Sequence, residues 1–101
     1  MAAHDMFLAM MLANAKREEA SGIVLTVDNQ ASRIDMLLLD GSSKPLTPPP
    51  AEVLLKIIQI LEGGQTQFRS AVFEATIETV NVKRGPSGMA ATISSWTIEH
   101  T

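Results

Sequence analysis

Pro48-Pro49-Pro50-Ala51-Glu52-Val53-Leu54-Leu55-Lys56-Ile57-Ile58-Gln59-Ile60-Leu61-Glu62-Gly63-Gly64 is the stretch around which the rest of the chain is organised. Leu54, Ile57, Ile58 and Leu61 recur at helical spacing and form one apolar stripe. The prolines suit a helix entry, because the first turn leaves its N–H groups unused. Gly63 and Gly64 suit the exit, where a positive φ is often required. The stretch therefore predicts a helix over about Ala51 to Glu62, against which the other apolar segments pack. The three prolines are read as that entry rather than as a polyproline ligand.

Upstream, Asp5 to Ala20 predicts a first helix with Asp5 as N-cap. Phe7, Met10, Met11 and Asn14 mark its inner face, with Leu8, Leu12 and Ala15 broadening it. Met1, Met6, Met10 and Met11 are read as core filler, the other reading being an adaptable binding surface. Ser21-Gly22 reads as the stop of this helix. Ile23 to Val27 is β-branched and apolar, as in a strand buried on both faces or nearly so. Asp28-Asn29-Gln30 turns the chain into a second strand, Ser32 to Asp40. There Ile34, Met36 and Leu38 point one way, and Arg33, Asp35, Leu37 and Leu39 the other. Leu46 is a candidate short edge segment.

Downstream of the central helix, Gln65 to Val82 reads as one long β-rich stretch. Its apolar phase slips between Ile77 and Val80, which predicts a bulge or turn. Lys83 to Gly88 is a loop. Met89 to Ile98 is the last strand, with Ala91 and Ile93 on one face and Thr92, Ser94 and Trp96 on the other. The expected fold class is α+β: one antiparallel sheet of four to five strands carrying two helices, in the order α-β-β-α-β-β with an optional further strand. The 101 residues are read as a single domain, 1–101, large enough for one core.

Composition narrows the function classes. With 46% hydrophobic and 19% charged residues the chain can bury a core. It has no cysteine, hence no disulfide framework and no thiolate metal site. Eleven acids against eight bases give a net charge of −3, and the basic pairs Lys16-Arg17 and Lys83-Arg84 stand apart. Nucleic-acid binding, which requires a basic face, is not expected. The longest apolar run, Met6 to Ala13, is far short of a membrane span, so no membrane insertion is expected. The N-terminus has no basic region before its apolar run, and the expected location is cytoplasmic.

Catalysis needs titratable groups gathered in a pocket. The two histidines, His4 and His100, lie near the two termini. The Gly-x-x-x-x-Gly-Lys-Ser/Thr phosphate loop does not occur, and Gly85-Pro86-Ser87-Gly88 lacks both its lysine and its helix. Glu74 and Glu78 are read as residues of a wet sheet face. The expectation is a protein that is not an enzyme and has no catalytic residues, cofactor or metal site.

Ala20-Ser21-Gly22-Ile23-Val24-Leu25 resembles the Ala-Ser-Asp-Ile-His-Ile motif in the small N-terminal domain of type II secretion and type IV pilus assembly ATPases. In that family a second strand ends in Arg-Ile-Asp-Gly, and Leu38-Leu39-Asp40-Gly41 stands at that place here. Pro48-Pro49-Pro50 and Leu61-Glu62-Gly63 look like the family's proline-marked helix entry and its Met-Ala-Gly end. The resemblance runs over roughly residues 6–98. Gly22 and Val24 replace the family's Asp and His, and Leu38 replaces its Arg. The family's Gln-Asp-Gly-Arg has no counterpart near Gln65 to Arg69. The resemblance implies a PAS-like module that packs against neighbouring subunits; it carries over no site residue.

The function expected from these readings is a non-catalytic protein–protein interaction module of secretion- or pilus-type machinery, with a protein partner or a homodimer. The candidate interface is Leu37, Leu39, Leu55 and Ile60, which lie off the main stripes of their elements. The alternative is a PAS-like sensor of a small ligand, with Asn14, Thr26 and Thr92 as the polar residues near its core.

Overall fold

A computed structural model describes residues 3–100. The chain runs α1 (Ala3–Arg17), β1 (Ala20–Asp28), β2 (Ala31–Leu38), β3 (Ser43–Leu46), α2 (Ala51–Glu62), β4 (Gln67–Arg69), β5 (Phe73–Arg84) and β6 (Gly88–His100). The strands form one sheet in the order β3-β2-β1-β6-β5-β4, with every neighbouring pair antiparallel. The α+β class is as expected, but the sheet has six strands rather than four to five. The two edges are β3, which contains the candidate edge segment at Leu46, and β4, which a turn separates from β5 within the stretch read as one; each is too short to show an alternating pattern. β3 contains Pro45, which an edge strand tolerates because no neighbour needs its N–H.

The central helix follows its stripe. Leu54, Ile57, Ile58 and Leu61 are its buried residues. Pro50 is the N-cap, and its carbonyl accepts from the N–H groups of Val53 and Leu54. Gly63 ends the helix in a helical conformation, and the positive φ falls one residue later, +97° at Gly64.

The first helix differs from its reading in three respects. It starts at Ala3, so Asp5 lies inside the first turn instead of capping it. It stops at Arg17, and Glu19 takes the left-handed conformation (φ 59°) that ends it. Gly22 is thus free to enter β1, where it is buried. The buried face is also rotated: Leu8, Met11, Leu12 and Ala15 are buried, whereas Met6 and Met10 are 47% and 45% exposed. Leu8, Leu12 and Ala15 are therefore the centre of the face and not its margin. Met1 lies outside the described residues.

β1 and β2 form a two-residue hairpin in which Asp28 pairs with Ala31, and Asn29 and Gln30 both have positive φ. This turn twists with the strands it joins. Ile23, Leu25 and Val27 are buried, while Val24 and Thr26 are only half-buried, so the strand is covered fully on one face alone. At the other end of the sheet Ser70 closes the β4–β5 turn. Its hydroxyl accepts from the N–H groups of Val72 (3.3 Å) and Phe73 (3.0 Å).

The expected phase slip is a paired irregularity in the β5–β6 ladder. Ile77 pairs with Trp96, Thr79 with Ser95, and Val80 with Ile93. Each strand has two residues between the flanking pairs, an odd step of three, so each reverses phase once. As a result Trp96 returns to the face of Ile93, contrary to simple alternation. Its indole Nε1–H donates to the Leu12 carbonyl of α1 at 3.0 Å. Lys16 Nζ lies 5.3 Å from the Trp96 ring centroid and donates to the Trp96 carbonyl at 2.8 Å.

Both helices bury their stripes on that one face. α1 lies over β4, β5, β1 and β6, and α2 over β1, β6, β5 and β2. Their buried residues form a single cluster with Ile23, Leu25, Ile34, Met36, Ala75, Ile77, Ala91, Ile93 and Trp96. Among the described residues no helix lies on the opposite face of the sheet.

Candidate interaction surfaces

The uncovered face follows from the register. Val24 pairs with Thr92 and Thr26 with Ala90, and these four half-buried residues form its centre. Arg33 and Asp35 of β2 flank them on one side, joined by an ion pair of 3.1 Å. Asn81 and Lys83 of β5 flank them on the other. Depletion of charge at the centre with polar residues at the rim is a feature of protein interfaces, and this face has it.

The four candidate interface residues are divided between the two sides of the molecule. Leu37 lies on the uncovered face, paired with Gly22. A β-carbon on Gly22 would stand 3.4 Å from Leu37 Cδ1 and 3.2 Å from the Ile93 carbonyl oxygen. The closer of the two is the backbone oxygen, so the absent β-carbon lets β6 approach β1 here. Leu39 lies past the end of β2, in the turn closed by the Gly41 N–H donating to the Leu38 carbonyl, and is 75% exposed. Leu55 and Ile60 belong to the helix layer, on the flanks of α2, and both are partly buried against the core. Leu37 and Leu39 thus sit at one end of β2, and Leu55 and Ile60 lie away from them.

A second surface is a groove of about 450 Å³ between α1 and the far end of the β5–β6 hairpin. Met10, Ala13, Phe73 and Ile98 give it an apolar lining, and Lys16, Arg17 and His100 stand around it. The Phe73 and His100 rings meet edge to face with centroids 5.0 Å apart. Of the three polar residues expected near a ligand site, Asn14 borders this groove, while Thr26 and Thr92 lie on the uncovered sheet face. The signal for the groove was the exposed methionine of α1, which a core-facing reading of that helix conceals.

Some of the charged residues form surface ion pairs. Arg84 donates through Nε and Nη2 to the Glu62 carboxylate at 2.9 and 2.5 Å, tying the end of α2 to β5. The hydrogen bonds from Arg84, reinforced by its charge, hold the Glu62 carboxyl below its ordinary range. Asp40 is lowered too, by the Ser42 hydroxyl and N–H. A carboxyl whose folded pKa is depressed stabilises the fold above its unfolded pKa, and loses that contribution as pH falls through the folded value. Both Glu62 and Arg84 are exposed, so the effect on stability is small. The pair is easily read: in a carboxyl NMR titration Glu62 should titrate below the ordinary carboxylate value, and Arg84→Gln should raise it.

Among the described residues no group of three or more His, Asp or Glu side chains could hold a metal ion. No described helix is long and apolar enough to cross a membrane. Gly85 to Ser87 is a hairpin loop between two strands, not a loop leading into a helix. Phosphate cradles of the common kind combine a glycine-rich loop with a helix N-terminus. Titration calorimetry with Mg-ATP should accordingly show no micromolar site; a saturating heat in that range would refute this.

Compared with known protein families and with curated proteins, the chain matches none.

Proposed function

We propose that the chain is a non-catalytic protein–protein interaction module of secretion- or pilus-type assembly machinery, and that it binds through the uncovered face of its sheet. The observation that carries this reading is the asymmetry of the sheet: two helices cover one face, and the other presents Val24, Thr26, Ala90 and Thr92 inside a charged rim. The resemblance of Ala20 to Leu25 and of Leu38 to Gly41 to the small domain of the assembly ATPases indicates the class of partner, a subunit of such an ATPase.

The test is direct binding of the purified chain to a purified assembly ATPase by biolayer interferometry. The wild type should bind. Val24→Lys and Thr92→Lys should each weaken binding by about tenfold or more, since a charge buried at an interface centre loses its hydration. Gln59→Lys, on the exposed side of α2, should leave it unchanged. Absence of wild-type binding, or equal binding by all variants, would overturn the reading.

The groove beside α1 favours a second reading, a sensor of a small ligand. Its apolar lining and cationic margin suit a compound with an apolar body and an acidic group. A melting shift with such compounds in a metabolite library, abolished by Ala13→Trp, would support this reading over the first.

A further inference from the structure

β1 covers only part of β6. The two pair from Asp28 and Gly88 to Ile23 and Ile93, and β6 runs on to His100. Among the described residues no strand pairs with β6 beyond Ile93 on the side away from β5. The N–H groups of the α1–β1 connection do not reach this edge. Glu18 and Glu19 donate instead to the Asn14 and Lys16 carbonyls of α1, at 3.1 Å each.

The opposite strand fixes the direction of the β6 main chain. In an antiparallel ladder, two residues directly opposite either exchange both bonds or both point away from each other. Phe73, Ala75 and Ile77 oppose His100, Ile98 and Trp96. The Phe73 carbonyl accepts from the Ser70 N–H, and the Ile77 N–H donates to the Thr66 carbonyl, both at 2.8 Å and both on the β4 side. The N–H and C=O groups of Trp96, Ile98 and His100 therefore point away from β5. Trp96 agrees, since its carbonyl accepts from Lys16 Nζ at 2.8 Å. That bond occupies the edge at Trp96 and leaves Ile98 to His100 as the open stretch.

The side chains of Ile98 and His100 share the helix face with Trp96, and there they border the groove of about 450 Å³ beside α1. A strand laid along Ile98 directs alternate side chains to that face. Its apolar lining takes an apolar side chain. Lys16 and Arg17 stand at its α1 margin, and among the described residues no carboxylate lines it. Arg17 spends one bond on Asn14 Oδ1, at 2.7 Å, so most of its donors are unused. Open main chain, apolar lining and cationic margin together select an extended segment. Its apolar residue lies opposite Ile98, and an acidic residue lies two positions away on the same face.

We propose that the open edge of β6 at Ile98 to His100 accepts an added antiparallel strand, supplied by a partner chain of alternating acidic and apolar residues. Main-chain bonds to Ile98 hold the strand, the apolar side chain enters the groove, and the acid meets Arg17. This is a second site for a second partner, apart from the uncovered sheet face. It shares the groove with the small-ligand reading but differs from it in one respect: a strand needs the main chain of Ile98, and a small ligand does not.

An NMR titration of the isotope-labelled full chain with the peptide acetyl-Asp-Thr-Ile-Thr-Asp-amide tests this. The peptide carries its Ile between two acids on one face. The Ile98 and His100 amides should shift saturably, while those of Val24 and Thr26 stay in place. Methylating the main-chain nitrogen of the peptide's Ile removes a bond to Ile98 and should weaken binding about tenfold or more. Lys in place of both Asp residues, or Arg17→Glu in the protein, should weaken it to a similar extent. Arg17 is exposed on the last turn of α1, so its replacement leaves the core untouched. No shift at Ile98 and His100 would overturn the proposal, as would shifts centred on Val24 and Thr26. A methylated peptide that binds as well as its parent would mean that the groove alone is filled, and would overturn the added strand. Equal binding of the Asp and Lys peptides, or binding unchanged by Arg17→Glu, would overturn the acidic partner. Binding to an assembly ATPase is measured separately, so either idea can fail without the other.

Discussion

Replacing Ile58 by alanine should lower the free energy of unfolding by about 2–5 kcal/mol. Ile58 is fully buried, on the inner stripe of α2 with Leu54, Ile57 and Leu61. Removing its outer carbons forfeits their transfer free energy and leaves a cavity. Strands that hold one another in a ladder cannot easily close over such a cavity, so relaxation recovers little. Domains of this size are stable by about 5–15 kcal/mol in total, so the loss is a large fraction. Each kcal/mol lowers the melting temperature by roughly 4–8 °C at this length. Ile60→Ala provides the contrast. Ile60 is only partly buried on the flank of the same helix, and its truncation should cost less than half as much. A urea midpoint unchanged by Ile58→Ala would mean that α2 does not bury this stripe.

The second large effect is expected at Gly88. This residue opens β6 and pairs with Asp28 at the end of β1. A β-carbon placed on it would stand 1.8 Å from the Val27 carbonyl oxygen and 2.7 Å from the Val27 carbonyl carbon. These are backbone atoms of a paired strand and cannot swing aside as a side chain would. Gly88→Ala should therefore separate β1 from β6 at this end, break the bond from the Asn29 N–H to the Ser87 carbonyl, and cost about 3 kcal/mol or more. The neighbouring glycine is the control. A β-carbon on Gly85 would have its nearest neighbour at 3.9 Å, an ordinary contact, and Gly85→Ala should change stability by no more than about 1 kcal/mol. Chemical denaturation of the two variants side by side checks the pair. Equal midpoints would contradict the close approach of β1 and β6.

The legible and illegible parts of this fold separate by length and by dependence on distant residues. α2 was legible to the residue, because its stripe, its prolines and its glycines all coincide. The bulge between Ile77 and Val80 was legible as a phase slip on β5. The matching irregularity on β6 was not, since Ser94-Ser95 show no break of their own in apolar pattern, and Trp96 was therefore assigned to the wrong face. The edge strand β3 was legible only as a candidate segment at Leu46, and β4 was not separated from β5, because three or four residues cannot show a period. α1 is apolar around most of its circumference, so the sequence alone could not orient it, and the exposure of Met6 and Met10 became visible only with the sheet in place. Gly22 was read as a helix stop. It serves packing instead, and Glu19 supplies the left-handed turn, although such a side chain adopts it rarely.

The surfaces were harder to read than the fold. Leu37, Leu39, Leu55 and Ile60 were recognisable as apolar residues off their main stripes. Whether such residues share a patch depends on which face of the sheet receives the helices, and no local pattern encodes that. The uncovered face was hidden for a related reason. Val24, Thr26, Ala90 and Thr92 come from two strands far apart in sequence and meet only through the β1–β6 register.

The central claim is that the uncovered face binds a subunit of a secretion- or pilus-type assembly ATPase. The most direct measurement is chemical-shift mapping of the isotope-labelled chain titrated with the purified, unlabelled ATPase. The amide signals of Val24, Thr26, Ala90 and Thr92 should shift or broaden first, while those of Met10, Ala13 and Ile98 around the groove and of Lys56 and Gln59 on α2 stay in place. Changes centred on the groove or on α2, or no changes at saturating ATPase, would contradict the claim.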